Sequence, residues 1–498
     1  MTLNRIQTFF YKNKSWLILG VILLLAAFVR FYHIETKMRF IWDEGRDMMV
    51  IRRIITEKDI TLFGPFNEMG EGKDFFGVFH YYLMLPALWL ADYNPVGPAI
   101  FTALLGVTSV FLVYQLISMW DNQKLALWVA AIYALSPPVV EYVIWPWNPN
   151  TMPFFGLLYL IFLRKWFEKP SALWTALAGF TLGLLFQLHY FSIALVVPWL
   201  MLMWARKSFF KIVYPFLFIF TFLFANINFI LFDLTHEWFY FKILKDSFVG
   251  DSSQQLFNFS LTHFVTTPFI FTNSTFSKLL TLPEITTWPV TVLFIGLSFK
   301  RIKEFFVQNK LDLDIMIIGG WLGFLSIISF FPSLDNNYYA SYLWFGLLYI
   351  LIRGAIRASN HCGYKPIFVL AGVLFCARLF ISIDLNRSPT WQENMPLVRQ
   401  LAEVVAKDAA FETKTINIAS LADSNTRATR YRYFLDVNEI KPLSVDDYSQ
   451  TEILYIISPH DVATSRENPA WEISTFVDQQ WQLLDRIEEL RVFKVVKK

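Results

Sequence analysis

Residues 16–49 read WLILGVILLLAAFVRFYHIETKMRFIWDEGRDMM. The first half is an apolar run that approaches the roughly 20 residues needed to cross a bilayer. No small-residue cleavage motif interrupts it, which favours a retained anchor over a cleaved signal peptide. The second half is polar and sets two carboxylates, Asp43 and Glu44, between Arg39 and Arg46. The pattern predicts a membrane span followed by an acidic segment at the membrane surface.

The composition excludes an ordinary soluble protein. Of the 498 residues, 55% are hydrophobic and 18% are aromatic, which is too apolar for a soluble chain of this length. The formal net charge of +3 gives no indication of nucleic-acid binding, and the charged residues cluster between apolar runs. The two cysteines, Cys362 and Cys376, have no metal-ligand spacing and imply no disulfide framework.

Apolar runs along the first 384 residues predict about eleven transmembrane helices. Their approximate positions are 16–34, 98–119, 125–143, 153–168, 171–188, 190–205, 212–232, 286–299, 314–332, 339–352 and 366–384. The predicted fold class is therefore an α-helical polytopic membrane protein with additional juxtamembrane helices.

One apolar stretch, FFGVFHYYLMLPALWLA at residues 75–91, decides the topology. If it crossed the membrane, the later basic loops would lie opposite the basic N-terminus. If it lies on the surface, all of these loops share the side of the N-terminus, as the positive-inside rule expects. We therefore predict a surface helix at this position and a cytoplasmic N-terminus. The compact outer loops favour a prokaryotic plasma (inner) membrane.

The chain divides into two predicted domains. Residues 1–384 form the multi-span domain, with outer loops at 35–97 and 233–285, and the second loop is predicted to be a lid over the acceptor groove. Residues 385–498 return to an ordinary soluble composition and form a small extracytoplasmic α/β domain. Within it we expect a helix at 395–409, buried strands at 415–421 and 453–458, and an alternating, strand-like end at 481–497.

The paired acids have two interpretations on position alone. A carboxylate that is partly desolvated at the membrane boundary gains affinity for a proton, which suits a general base. Acidic residues also favour the start of a helix, and the amphipathic segment after Asp43 predicts such a helix. The residues themselves leave both interpretations open.

Three strings together carry a family resemblance: WDEGRDM (42–48), FGVFHYYL (76–83) and SPPVVEYVIWPWNPN (136–150). They resemble the GT-C superfamily, and within it the polyprenyl-phosphate-sugar-dependent glycosyltransferases related to protein O-mannosyltransferases and the lipid A aminoarabinose transferase. The resemblance implies a GT-C-like fold and inverting transfer of a monosaccharide to a lipid, polysaccharide or protein hydroxyl at the outer face. It makes Asp43 the catalytic base and Glu44 its partner.

The resemblance also implies groups that bind the lipid phosphate. The family has a Lys-Pro-Pro or His-Pro-Pro signature where this chain has residues 76–80, and a basic residue where this chain has Asn337. Candidates for the phosphate are therefore Arg46, Lys73, His80, Tyr338, Tyr339, Arg378 and Arg387. Each group also has a non-catalytic interpretation. Arg46 could lie on a solvated helix face, Arg378 and Arg387 could extend to lipid headgroups, and the tyrosines could belong to an interfacial aromatic belt.

The string WPWNPN at residues 145–150 offers a stacking surface and amides suited to sugar hydroxyls. We expect the substrate to contact Trp147, Asn148, Asn150 and His189; the alternatives are a loop cap for the loop residues and a packing role for the histidine. Distant oligosaccharyltransferase relatives carry acidic metal ligands in the equivalent loop, which here has only Glu141. No cofactor is required, and a divalent metal is not indicated.

Two other functional classes are alternatives to the transferase. A transporter or flippase of lipid-linked sugars usually shows paired repeats and ionisable residues near the bilayer midplane. This chain has no such repeat, and its acids lie at one surface. A non-catalytic scaffold is disfavoured by the intact acids of the first loop. The expected partners are the polyprenyl-phosphate sugar donor, the acceptor and membrane lipids, without nucleic acid.

Overall fold

The computed structural model describes residues 14–65, 76–208, 211–249, 260–331, 336–363, 365–387, 389–423, 425–476 and 478–497. Within these residues the chain is mostly helical and ends in a small sheet. The helices that precede the sheet region are α1 (Lys14–Phe31), α2 (Ile34–Lys37), α3 (Trp42–Thr56), α4 (Phe79–Leu90), α5 (Val96–Trp120), α6 (Gln123–Leu135), α7 (Pro137–Val143), α8 (Met152–Glu168), α9 (Ala172–Leu188), α10 (Val196–Ala205), α11 (Val213–Ala225), α12 (Ile227–Thr235), α13 (Phe239–Val249), α14 (Leu261–Leu280), α15 (Glu284–Gln308), α16 (Leu313–Ile328), α17 (Trp344–Cys362) and α18 (Lys365–Ser382). Short 3₁₀ helices lie at Asn148–Thr151, Tyr190–Leu195 and Asn337–Leu343.

Several of these helices can cross a membrane. By length and composition, α1, α5, α18 and the segment Asn337–His361 qualify among the described residues. The count rises to as many as 7 if the bent pairs α6 with α7, α11 with α12, and α14 with α15 are each taken as one span. The prediction of a multi-pass helical membrane protein is confirmed, while the count of eleven spans stays a prediction.

The bend between α6 and α7 has a clear cause in the sequence. The two helices meet at 63°, because Pro137 and Pro138 lack the N–H groups that would continue the helical ladder. The carbonyl of Ala134 would pair with residue 138, and it instead accepts a hydrogen bond from the buried Arg30 guanidinium at 3.0 Å. Arg30 of α1 thereby stabilises the turn that leads to the 145–150 loop.

Helix α4, which the sequence predicts to lie on the membrane surface, connects the region of α3 to the start of α5. It has 12 residues and so spans about 18 Å, short of the roughly 30 Å hydrocarbon layer. The rings of Trp16, near the start of α1, and Tyr114, near the end of α5, lie with their centroids 5.9 Å apart. The start of α1 and the end of α5 are therefore at the same face, which supports a non-crossing segment at residues 75–91.

The segment 233–285 differs from the long loop predicted for it. It contains α13 and the 20-residue helix α14, while residues 250–259 lie outside the described residues. Polar side chains on α14 are buried because they hydrogen-bond to neighbouring helices. Asn273 Oδ1 accepts from Thr287 at 2.9 Å and Thr291 at 3.1 Å, and Thr272 accepts from the Trp321 indole at 3.0 Å. The segment is therefore largely helical among its described residues, while its place outside the membrane and its role as a lid stay predictions.

The C-terminal segment forms a four-stranded sheet in the order β1-β2-β4-β3. The strands are β1 (Ile416–Ser420), β2 (Ile453–Ser458), β3 (Gln480–Ile487) and β4 (Leu490–Val496), and the helices are α19 (Met395–Ala409), α20 (Thr429–Val437), α21 (Val462–Arg466) and α22 (Trp471–Ser474). Strands β1 and β2 are parallel, and the other pairs are antiparallel. The predicted helix at 395–409, both buried strands and the strand-like end are confirmed.

One buried core joins this sheet region to the helices around the paired acids. Met48 of α3 and Met84 of α4 pack in the same cluster as Leu401 of α19, Tyr433 of α20 and Tyr455 of β2. All five side chains are fully buried. The helices α3 and α4 and the C-terminal segment therefore form one packed unit beside the membrane helices.

The predicted sidedness can be tested with single cysteines in a C362S/C376S background. Lys207, in a predicted cytoplasmic loop, and Phe411, which is 90% exposed in the C-terminal segment, are both accessible positions. We expect Phe411→Cys to react with a membrane-impermeant maleimide on intact cells or spheroplasts, and Lys207→Cys to react only after permeabilisation. Labelling is read as a mass shift of the purified protein. Reaction of both positions from the same side would contradict the topology.

Candidate active site

The first turn of α3 carries the paired acids. The chain is extended at Ile41, and the helix begins at Trp42. Acidic side chains stabilise this end of a helix because its first N–H groups are unpaired and create a partial positive charge. The helix predicted after Asp43 is therefore present. The contacts of Asp43 and Glu44 nevertheless differ, so that each acid has a separate role.

Glu44 is fully buried, and both of its carboxylate oxygens accept hydrogen bonds. Oε2 accepts from the backbone N–H of Ile41 at 2.9 Å, and Oε1 accepts from the indole N–H of Trp145 at 2.6 Å. Burial raises the pKa of Glu44 well above its ordinary value, and the neighbouring Asp43 adds to the rise. A side chain with no exposed surface cannot contact a substrate directly. Glu44 therefore positions α3 against the Trp145 loop, and its assignment as the partner of the catalytic base stays a prediction.

Asp43 is the acid that reaches the surface. Its side chain is 19% exposed, and its Oδ1 lies 2.9 Å from Nη1 of Arg46. Burial raises the pKa of Asp43 to about 6, although the charge of Arg46 opposes the rise. The carboxylate is thus largely ionised near neutral pH and yet binds a proton more readily than a solvated aspartate does. These properties suit a general base.

Asp47, which the sequence reasoning missed, shares the Arg46 guanidinium with Asp43. Its Oδ1 accepts from Nε of Arg46 at 2.9 Å and lies 2.8 Å from Nη2. Its Oδ2 lies 3.6 Å from Nε2 of His80. The spacing of four residues between Asp43 and Asp47 was the available signal, since it places both acids on one helix face. Asp47 holds Arg46 in the orientation that faces Asp43.

His80 and Arg46 lie behind the surface and not on it. His80 is 0% exposed and Arg46 is 5% exposed. Burial lowers the pKa of His80 to about 3, and the positive charge of Arg46 contributes, so that the imidazole is neutral. A buried neutral histidine and an arginine committed to two carboxylates are poor phosphate ligands. Their role as phosphate ligands stays a prediction, whereas the alternative of a solvated face for Arg46 is wrong.

Aromatic rings line the surface next to Asp43. Trp147 stacks on Trp145 with centroids 4.6 Å apart, and the edge of Tyr338 meets Trp147 at 4.8 Å. The guanidinium of Arg39 lies over the ring of Trp145, 5.0 Å from the ring centroid. Trp147 and Tyr338 remain partly exposed, and Tyr338 is within electrostatic range of Asp43. We call Trp145, Trp147 and Tyr338 the aromatic wall; it brings two predicted contacts to the acid.

Four other predicted ligand-binding residues are buried beside this wall: Asn148, Asn150 and His189 for the substrate, and Tyr339 for the phosphate. Asn148 donates to the carbonyl of Leu188 at 2.8 Å, and Asn150 donates to the carbonyl of Trp145 at 3.0 Å. The rings of His189 and Tyr339 are tilted by 44° to each other with centroids 4.6 Å apart, and each residue is 6% exposed. These groups hold the loop and the 3₁₀ helix in place. These contacts favour the loop-cap alternative for the asparagines and the packing alternative for His189, while the predicted ligand contacts stay predictions.

Arg378 and Arg387, near the end of the multi-span part, bind groups other than Asp43. Arg387 pairs with Glu141 at 2.7 Å and with Glu393 at 2.6 Å. Arg378 donates to the carbonyl of Leu280 at 3.1 Å and so stabilises the C-terminal end of α14, where backbone carbonyls lack helical partners. Arg387 therefore links the multi-span part to the start of the C-terminal segment, and the role of both arginines as phosphate ligands stays a prediction.

A lysine that the sequence reasoning missed lies close to the wall. Lys278 of α14 is exposed, and its Nζ donates to Oδ1 of Asn337 at 2.6 Å. Asn337 also donates to Thr275 at 2.8 Å, so the residue before Tyr338 is fixed on both sides. Lys278 was missed because its segment was predicted to be a loop without a diagnostic spacing. The predicted cation Lys73 lies outside the described residues.

The arrangement as a whole offers an acid and a ring surface at one place. Among the residues that the structure describes, no group of three or more His, Cys, Asp or Glu side chains could hold a metal ion. What the site presents to a ligand is a base with raised proton affinity, the face of Trp147 and the phenol of Tyr338. A planar or ring-shaped hydroxyl compound fits this surface, because aromatic faces pack against C–H groups while a carboxylate accepts an O–H proton.

Comparison with known proteins places this geometry in a known fold. No family model and no curated protein matches the sequence. The structure of ArnT from Cupriavidus metallidurans bound to undecaprenyl phosphate matches with a TM-score of 0.55 at 13% identity, over 97% of this chain and 98% of that chain. The archaeal oligosaccharyltransferase AglB from Archaeoglobus fulgidus, in complex with an inhibitory peptide and a dolichol-phosphate, matches with a TM-score of 0.50 at 12% identity, over 90% and 70% of the chains.

ArnT and AglB are both GT-C superfamily enzymes. At these identities the likeness shows the fold, and it confirms the GT-C-like fold that the sequence resemblance implied. The match with ArnT includes the C-terminal segment, because it covers nearly the full length of both chains.

The structural role of Glu44 can be tested by thermal unfolding. Glu44→Ala leaves the Ile41 amide and the Trp145 indole without their acceptor, and each buried unpaired donor costs roughly 1–3 kcal/mol. We expect a lower Tm in detergent, followed by intrinsic tryptophan fluorescence, and Asp43→Asn as the matched control should melt like the parent protein. Equal Tm values for Glu44→Ala and the parent would contradict this role.

Proposed function

We propose that the protein is an inverting glycosyltransferase that moves a monosaccharide from a polyprenyl-phosphate carrier to an acceptor hydroxyl at the outer face of the membrane. The observation that carries the proposal is the placement of Asp43: a partly exposed carboxylate with a pKa of about 6, beside the aromatic wall. The carriers named for the two structural neighbours, undecaprenyl phosphate and dolichol-phosphate, support a lipid-phosphate ligand.

The proposed reaction follows from where Asp43 lies. The sugar packs against Trp147, and the acceptor O–H points at the carboxylate. As the acceptor oxygen forms a bond to the anomeric carbon, its proton passes to Asp43. The bond between that carbon and the phosphate oxygen breaks, and its electron pair leaves with the polyprenyl phosphate. A single displacement of this kind inverts the configuration of the anomeric carbon.

The departing phosphate needs fixed donors or cations, since negative charge develops on it in the transition state. Arg46 is committed to two carboxylates, so Lys278 and the phenol of Tyr338 are the better candidates. Arg378 donates to the carbonyl of Leu280, and Leu280 helps to line an apolar cavity of about 360 Å³ between α6, α14, α17 and α18. An apolar cavity of this kind suits part of the lipid tail.

The remaining assignments belong to the same proposal. The chain crosses the plasma membrane about eleven times, with residues 1–384 as the multi-span domain and its N-terminus in the cytoplasm. Residues 385–498 lie outside together with the site. The reaction needs no cofactor, because the phosphate is already an activated leaving group, and the acceptor belongs to the classes of lipid, polysaccharide or protein hydroxyls.

Removal of the base is the first test of the proposal. Asp43→Asn keeps the size of the side chain and loses its proton acceptor, so transfer from a panel of polyprenyl-phosphate sugars should fall by roughly 10²–10⁴-fold. Product is measured by mass spectrometry with purified enzyme in lipid nanodiscs. Asp59→Asn, at an exposed position after α3, is the matched control and should keep parental turnover. Full turnover by Asp43→Asn would overturn the assignment.

The pH dependence gives a second test. A base must be ionised to accept a proton, and burial raises the pKa of Asp43 to about 6. Turnover under saturating donor should therefore decrease on acidification, with its midpoint at about pH 6, and fall by about tenfold for each further pH unit. The parental unfolding transition, recorded at the same pH values, separates titration from denaturation. A rate that stays constant through this range in a folded enzyme would contradict the assignment.

A further inference from the structure

The helix that carries Asp43 is crossed by a helix of the C-terminal segment. Gly45 of α3 lies at the crossing point, where an added Cβ would come within 2.5 Å of the Cα of Arg430 and 2.9 Å of the carbonyl carbon of Thr429. Both are backbone atoms, which cannot move aside as a flexible side chain can. The backbones of α3 and α20 are therefore in direct contact two residues after Asp43.

Polar contacts fix α20 to the start of α3. The hydroxyl of Thr429 donates to the carbonyl of Trp42 at 3.1 Å. This carbonyl belongs to the residue before Asp43, and Thr429 is itself 5% exposed. The hydrogen bond is thus protected from water and acts on the peptide unit from which the Asp43 side chain extends.

Arg430 adds a second anchor at the same end. Its guanidinium is fully buried, pairs with Asp423 of the C-terminal segment and donates to the carbonyl of Gln392 at 2.5 Å. A further contact at 3.5 Å reaches the carbonyl of Phe40, just before α3. Breaking a buried pair of this kind is strongly destabilising, because an uncompensated charge remains. Arg430 therefore ties the approach to α3 firmly to the C-terminal segment.

The far end of α3 has a separate contact with the same helix. Arg52 pairs with Asp436 of α20 at 2.6 Å, and both side chains are partly exposed. This ion pair lies more than two helical turns beyond Asp43 along α3, since the residues are nine positions apart. The two ends of one interface can thus be disturbed independently.

We propose that the C-terminal segment is part of the active site, with Thr429 as a positioning residue. The hydroxyl of Thr429 holds the first turn of α3 and thereby orients the Asp43 carboxylate towards the acceptor. The inference rests on the proposed function for the role of Asp43. Its physical basis is that catalysis by a base requires the carboxylate oxygen within hydrogen-bond distance of the proton it removes. A displacement of about 1 Å can reduce a rate by roughly 10²-fold.

The test compares the two ends of the interface. Thr429→Val removes the hydroxyl at nearly constant volume, Thr429→Ser restores it, and Asp436→Asn removes the ion pair at the far end. Each variant is assayed as the full chain in nanodiscs for kcat, for donor KM and for the midpoint of the pH profile. Deuterium exchange of the peptide that covers residues 40–48 is followed by mass spectrometry, which reports on this turn without needing turnover.

We expect Thr429→Val to lower kcat by about tenfold with donor KM changed by less than about twofold, because chemistry and not binding is affected. The acidic limb of its pH profile should move to lower pH as Asp43 becomes more solvated, and exchange at residues 40–48 should accelerate. Thr429→Ser should restore all three readouts, and Asp436→Asn should match the parent in each of them.

The inference is overturned if Thr429→Val matches Asp436→Asn in exchange and in kcat, while Asp43→Asn is inactive. A failure of the proposed function looks different: Asp43→Asn then retains turnover, although Thr429→Val still accelerates exchange at residues 40–48. If none of the donors tested is turned over, exchange alone decides whether Thr429 holds this turn.

Discussion

The hydrogen bond from the Trp145 indole to the buried Glu44 carboxylate is the contact on which the site depends. Burying a carboxylate is costly unless its oxygens have partners, and Glu44 obtains them from its own helix start and from the 145–150 loop. The contact joins two segments that are far apart in the sequence, the first turn of α3 and the aromatic wall. Because Glu44 occupies this inner position, the preceding residue, Asp43, is turned towards the surface. One acid of the pair is thus structural, and the other is available for chemistry.

The charges behind Asp43 explain how it stays ionised in a partly apolar place. Arg46 lies between Asp43 and Asp47 and contacts both, so its single positive charge is shared. Asp47 alone would raise the proton affinity of Asp43, and Arg46 alone would lower it. The neutral, buried His80 on the other side of Asp47 adds no charge. The balance leaves a carboxylate that is both ionised near neutral pH and basic, which a solvated aspartate on a helix surface is not.

The sequence predicted most of the fold because membrane spans, surface helices and buried strands each have a period or length that can be recognised. It failed at α14, where buried Thr272 and Asn273 have polar side chains whose partners lie on other helices. The site residues were likewise predicted only in part. Asp43, Trp147 and Tyr338 were predicted and lie together, whereas burial of Glu44, His80 and Arg46 depends on what α20 and the 145–150 loop place over them. Local pattern does not contain that information, because it arises from contacts between distant segments.

The shared core between α3, α4 and the C-terminal segment bears on how the two domains should be understood. Composition changes near residue 385, where the predicted multi-span domain ends. It does not indicate where a packed unit ends, because Leu401 and Tyr433 are buried in the same cluster as Met48 and Met84. If the C-terminal segment were separated, its α19 and α20 would expose this apolar surface, and α3 would lose the partner that Gly45 is shaped to approach. The segment with a soluble composition is therefore better described as part of one packed unit with α3 and α4 than as an appended module.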